Sequence, residues 1–142
     1  MYWYGIRDGD HRARGMLNRH YSARRYRDGR KPKKSVGPGE YMLLMTQDSR
    51  AVFGWVRNTV PRRDGQHGVY NCLFRREGGP LASELIEEAC HLAWARWPGE
   101  RLFTYIDADA VQSPNPGYCY KVAGFTVVGT SASGKILLER LP

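Results

Sequence analysis

Between residues 83 and 97 apolar side chains return at helical spacing. Leu85, Ile86, Ala89, Leu92 and Ala93 form one stripe, which predicts an amphipathic helix. Glu84, Glu87 and Glu88 near its start and Arg96 near its end suit the helix dipole, and Pro98-Gly99 stops it. Ahead of this helix, residues 41–45 and 52–57 read as strands of a hairpin closed by a tight connection over 46–50. A polar loop with Pro61, Asp64 and Gly65 leads to a third strand at 69–74 and the turn Gly78-Gly79-Pro80. The near-continuous apolar run Leu102-Phe103-Thr104-Tyr105-Ile106 predicts a strand buried on both faces. Strand, helix and strand in this order imply a right-handed βαβ unit with two parallel strands.

The ends of the chain are marked by punctuation more than by periodicity. Residues 10–20 fit a helix with Asp10 as N-cap and Met16, Leu17 and His20 on one face, while Tyr2-Trp3-Tyr4 is a short aromatic start with no assigned element. Asn115, Pro116 and Gly124 bracket a two-turn helix whose inward face holds Cys119, Val122 and Ala123. Residues 125–128 and 136–138 close the chain as a hairpin around a turn at 131–134. The predicted order is helix, three strands, helix, strand, helix, two strands.

Composition limits what these elements can build. With 142 residues, 42% of them apolar, the chain has material for one core and one domain. No run approaches the roughly 18 apolar residues of a membrane span, and the Arg-rich start lacks the apolar centre of a signal peptide. The expectation is a soluble, cytosolic protein with no membrane partner. Cys72, Cys90 and Cys119 are far apart and show no Cys-x-x-Cys spacing, so reduced thiols are expected.

Charge changes the picture more than composition does. Residues 1–34 hold 11 Lys+Arg against 3 Asp+Glu, a net +8, and the remaining 108 residues are balanced at 11 against 11. A neutral body with a cationic flap points to a polyanionic partner, nucleic acid first and DNA favoured. Within the flap, Arg24, Arg25, Arg27, Arg30, Lys31, Lys33 and Lys34 surround Tyr26, a mixture of cations and a ring that suits phosphate contacts plus base stacking. The flap also carries His20-Tyr21-Ser22. The imidazole is suited to general-base work or metal binding. Asp107, at the carboxyl end of the predicted buried strand, stands where α/β sheets place ligands, with Asp109 as the adjacent alternative. His20, Tyr21 and Asp107 would offer N and O ligands to a metal, with His11 and His67 as further donors, and His91 is expected to pack within its helix.

The element order, with Tyr120-Lys121-Val122-Ala123-Gly124-Phe125 on its penultimate part, resembles the GNAT superfamily of acyl-CoA-dependent N-acyltransferases over roughly residues 40–142. The resemblance implies an α+β (mixed α/β) fold: a single domain with a central mixed sheet, splayed parallel strands and flanking helices. Residues 40–142 would be its core, and residues 1–39 a basic helix and loop packed upon it. It also implies a coenzyme pyrophosphate held by Arg75, Arg76, Gly78 and Gly79, and Tyr120 protonating the departing thiolate of acetyl-CoA. Arg75-Arg76-Glu77-Gly78-Gly79-Pro80 departs from the family loop at its end. Pro80 lacks an N–H for a phosphate, and Glu77 adds negative charge.

His20-Tyr21-Ser22 ahead of the sheet, the altered loop and Tyr105-Ile106-Asp107 together resemble the phage Mom proteins, GNAT-fold relatives that modify adenine in DNA so that it escapes restriction. That resemblance implies activity centred on His20, Tyr21, Ser22 and Asp107, with iron as a suggested metal. The leading expectation is therefore a Mom-like enzyme of DNA adenine modification. Its rivals are a conventional acetyl-CoA-dependent N-acetyltransferase and a non-catalytic basic nucleic-acid-binding or host-interaction protein.

Overall fold

The computed structural model describes residues 1–18, 39–109 and 114–142. Seven strands and three helices follow one another as β1 (Trp3–Ile6), α1 (His11–Asn18), β2 (Glu40–Thr46), β3 (Ala51–Arg57), β4 (Val69–Arg76), α2 (Ala82–Arg96), β5 (Leu102–Ile106), α3 (Tyr118–Val122), β6 (Thr126–Thr130) and β7 (Ile136–Arg140). All strands join one mixed sheet in the order β1-β2-β3-β4-β5-β7-β6, giving the α+β class. No helix among the described residues is long and apolar enough to cross a membrane.

The β2–β3 hairpin is fixed by its turn. Thr46 Oγ1 donates to Asp48 Oδ1 at 2.8 Å and accepts the Ala51 N–H at 3.2 Å, and Asp48 Oδ1 also accepts the Arg50 N–H. These local bonds replace the ladder where the chain reverses. The N-cap expected of Asp10 is present: its Oδ1 accepts the N–H of Arg12 at 3.0 Å and of Ala13 at 3.5 Å.

Two helices of different size cover the two faces of the sheet. On one face, Leu85, Ile86, Ala89, Cys90 and Ala93 of α2 pack on Phe53, Trp55, Val69, Leu102 and Leu138. Two indoles pin this helix to the sheet, with Trp3 Nε1 donating to Leu85 O at 2.7 Å and Trp55 Nε1 to Ala89 O at 2.8 Å. On the other face Ala13 and Met16 of α1 pack on Leu43, Met45 and Val52. Trp55 is therefore core, as its strand position implies.

Several local expectations need correction. Tyr2-Trp3-Tyr4 is not a bare aromatic start, because Trp3–Ile6 pairs with β2 and Trp3 is fully buried. The third helix begins later than Asn115-Pro116 predicts: Gly117 adopts a left-handed φ of 79° at its N-cap, and only Tyr118–Val122 is helical. Its buried face is Tyr120 with Ala123, while Val122 is 56% exposed. On α2, Cys90 takes the fully buried place and Leu92 only packs against the edge of the core. His91 does not pack inside; its Nε2 meets Glu87 Oε1 at 2.9 Å on the exposed side.

Candidate active site at the fork of β4 and β5

β4 and β5 run parallel as the βαβ pattern predicts, but only Val69 with Leu102 and Tyr70 with Phe103 stay in register. Each strand is held by its other neighbour: β4 pairs with β3 along its length, and β5 with β7. The two strands therefore part towards their carboxyl ends. At the same level β4 bulges. Gly54 pairs with Leu73 and Trp55 with Asn71, so Cys72 is the extra residue of the bulge. Gly54 gives the bulge room there, since a Cβ would lie about 3.0 Å from Leu73 Cγ and 3.1 Å from Cys72 Sγ and would push those side chains aside.

Asn71 fills the fork. Its Nδ2 donates to Gly54 O at 2.9 Å and Leu73 O at 2.8 Å, the carbonyls that the bulge would otherwise leave unmatched. Its Oδ1 accepts from Tyr120 Oη at 2.5 Å and lies 3.3 Å from Thr104 Oγ1, which also reaches Asn71 O at 3.2 Å. Asn71, Thr104 and Tyr120 are all buried. The Tyr120 ring stands edge-on to Phe74 and Phe125. The tyrosine expected to protonate a thiolate is thus a strut between the strands, with its proton directed at Asn71.

The loop from β4 to α2 separates the two arginines expected to act together. Arg75 pairs with Val52 and so lies on the α1 face, whereas Arg76 pairs with Ala51 on the α2 face. Arg76 turns back on the loop, donating to Pro80 O at 2.7 Å and Gly79 O at 3.0 Å. Over Gly78 lies the guanidinium of Arg50, whose atoms occupy the space of a Cβ there, and Arg50 also bonds Glu77 O. Pro80 withholds an N–H that a pyrophosphate would use, while the Arg50 guanidinium is the movable end of an exposed side chain.

The α1 face over β4 and β5 carries a ring and guanidinium cluster that the sequence pattern alone did not single out. Tyr70 stacks on Phe103 with centroids 5.2 Å apart, and Tyr105 meets both edge-on. The β3–β4 loop folds over them, bringing Arg62 Cζ to 4.5 Å from the Tyr70 centroid, while Arg101 lies 4.9 Å from that of Phe103. Arg62 pairs with Asp64 at 2.8 Å, and Tyr105 Oη donates to Asp64 Oδ2 at 3.0 Å. The Arg62 hydrogen bonds hold the Asp64 carboxyl well below the usual carboxylate range. Burial raises Tyr70 and Tyr105 above the usual phenol value. The signal was present as cations and aromatics, but only pairing and loop return bring residues 62, 70, 101, 103 and 105 together.

Asp107 sits half-buried at the end of β5, two residues beyond Tyr105, and its Oδ1 accepts the Asp109 N–H at 3.1 Å. Asp109 itself is exposed. His20, Tyr21, Ser22, Arg24, Arg25, Arg27, Arg30, Lys31, Lys33 and Lys34 lie outside the described residues. Among the described residues no three His, Cys, Asp or Glu side chains are grouped to hold a metal. No protein-family model matches the chain, and no curated protein or solved structure matches it either.

Proposed function

We propose that the protein is a GNAT-like transferase that modifies a nucleic-acid base, in the manner of the phage Mom proteins it resembles. The strand order, the parallel pair parting after two register positions and the helix between them support the GNAT-like reading. One observation carries the nucleic-acid reading. The candidate carboxylate Asp107 directly follows the strand that bears Phe103 and Tyr105, and Tyr70 and the guanidinium of Arg62 lie against Phe103 on that strand. Rings and a cation on the strand that leads to a candidate carboxylate suit a base and its phosphates better than an acyl-pantetheine arm.

In this reading His20 takes a proton from the exocyclic amine of adenine, and Asp107 orients or charges that imidazole. Tyr21 and Ser22 line the same centre, and the cations between Arg24 and Lys34 hold the phosphates. In the alternative role to that of a base, His20 would join Tyr21 and Asp107 in an imidazole, phenol and carboxylate set that suits iron. The base must leave the duplex to be reached, and aromatic rings beside the site receive it.

A conventional acetyl-CoA-dependent N-acetyltransferase is the second reading. The fork favours it, as does the first turn of α2, where no side chain caps the free N–H groups. Pro80 and the inward commitment of Tyr120 oppose it.

The test is protection of DNA in bacteria expressing the protein. Wild type should render DNA resistant to restriction cleavage, Asp107→Asn should abolish this, and Asp109→Asn should retain it. Protection that survives Asp107→Asn removes that residue from the chemistry.

A further inference from the structure

We propose that β6 is the contact surface of a homodimer, in which two copies of this chain pair their β6 edges antiparallel across a two-fold axis and join their sheets into one. The strand order places β6 (Thr126–Thr130) at one end of the sheet, with β7 on its inner side and, among the described residues, no strand on its outer side. A strand so placed presents a row of backbone N–H and C=O groups, which is a template for one further strand. This does not rest on the nucleic-acid reading.

The two ends of the sheet are not alike. At the other end, β1 has four residues, Trp3 is buried against α2, and the N–H groups of Tyr2 and Trp3 each donate to Glu88 at 2.8 Å. Arg12 also reaches Tyr4 Oη on that strand at 3.1 Å. By contrast no residue of β6 is buried, with Val127 51% and Val128 47% exposed. The strand has no charged residue and no proline, two of the devices by which edges turn other strands away. Its one irregularity, the register step between Val127 and Gly129, is a bulge relative to β7.

Composition and charge point to a second copy as the occupant. Thr126-Val127-Val128-Gly129-Thr130 is close to a palindrome, so pairing centred on Val128 sets Thr126 against Thr130, Val127 against Gly129 and Val128 against itself. A two-fold contact needs such a self-complementary patch, and it makes the paired strands antiparallel. Threonine and valine suit cross-strand packing, and no like charges face each other. A strand of neutral residues gives a charged peptide nothing to pair with. Net charge does not hold two copies apart at this edge either. Residues 35–142, which include β6 and its neighbours β7 and β5, carry 11 Lys+Arg against 11 Asp+Glu. β1 and α1, the described elements of the cationic segment, lie at the other end of the strand order, α1 packing on β2 and β3. An axis perpendicular to the sheet keeps like faces together, so the clusters of Tyr70, Phe103 and Tyr105 from both copies lie on one side of the dimer.

Sedimentation velocity on the full chain across a concentration series tests this. A five-residue edge contact is small, so wild type should pass from monomer to dimer with a dissociation constant of roughly 10–100 μM. Val128→Lys sets two like charges against each other at the axis and should weaken dimerisation about tenfold or more. Gly5→Lys, on the opposite edge, where an added Cβ meets nothing within 4 Å, should leave dimerisation unchanged.

Val128→Glu should weaken the dimer as Val128→Lys does, and an equimolar mixture of these two variants should pair again, a recovery that damage to the fold cannot produce. Wild type that stays monomeric to about 500 μM overturns the proposal and leaves the edge to a strand of another protein. A dimer that survives Val128→Lys, or one lost in Gly5→Lys instead, removes β6 from the contact. A mixture of the two Val128 variants that stays monomeric overturns the two-fold pairing about Val128.

Discussion

Asn71 uses every polar atom of its side chain: two N–H groups on the carbonyls of the bulge, and one oxygen shared by Tyr120 and Thr104. This gives Tyr120 a structural partner at the fork. Tyr120→Phe should lower stability by about 1–2 kcal/mol, the usual effect of removing one partner from a buried hydrogen bond, as read from urea unfolding. Asn71→Leu should cost more, about 3 kcal/mol, because both bulge carbonyls and the Tyr120 hydroxyl lose their partner. A Tyr120→Phe protein of unchanged stability but abolished activity would restore the tyrosine as a proton donor. Asp64 provides a pH test. Its folded carboxyl lies below its unfolded value, so its contribution is complete above about pH 4 and fades as pH falls below that. Between pH 5 and pH 3 wild type should therefore lose more stability than Asp64→Asn, measured by urea midpoints at each pH. Equal losses would show that Asp64 adds nothing through its ionisation.

At the scale of elements, legibility followed the reach of the interactions involved. The run at 102–106 and the helical stripe predicting a helix over 83–97 are local patterns, and β5 (Leu102–Ile106) and α2 (Ala82–Arg96) follow them within a residue. β1 has only four residues and no alternation of its own; its burial pattern comes from pairing with β2 and from the contact of Trp3 with α2. The short α3 turns on the left-handed Gly117, a backbone choice that Asn115-Pro116 does not announce. The bulge at Cys72 was invisible because it exists only relative to β3. In the β4–α2 loop, Pro80 was a readable defect, but Arg50 arrives from the β2–β3 turn. Isothermal calorimetry with acetyl-CoA should accordingly show no binding to wild type, and Pro80→Gly should improve the fit by restoring an N–H. Micromolar binding to wild type would reverse the preference between the two functional readings.

At the scale of the whole molecule, the charge split of the sequence acquires a structural counterpart. The balanced body commits many of its arginines to its own carboxylates, including Arg57 to Glu40 and Glu100, Arg101 to Glu139 and Arg140 to Glu87. The net +8 stays with residues 1–34, where His20, Tyr21 and Ser22 offer the candidate chemistry. Helix α1 ties that segment to the sheet by packing on β2 and β3, on the face that also carries Tyr70, Tyr105 and Arg75. The candidate carboxylate and the cations were thus legible in the sequence, whereas the ring cluster of Tyr70, Phe103 and Tyr105 needed the fold to bring it together. Mass spectrometry of nucleosides from the DNA of bacteria expressing the protein is the direct test of base modification. A modified deoxyadenosine with wild type, lost in both His20→Ala and Asp107→Asn, is the predicted result; unmodified nucleosides with wild type would contradict it.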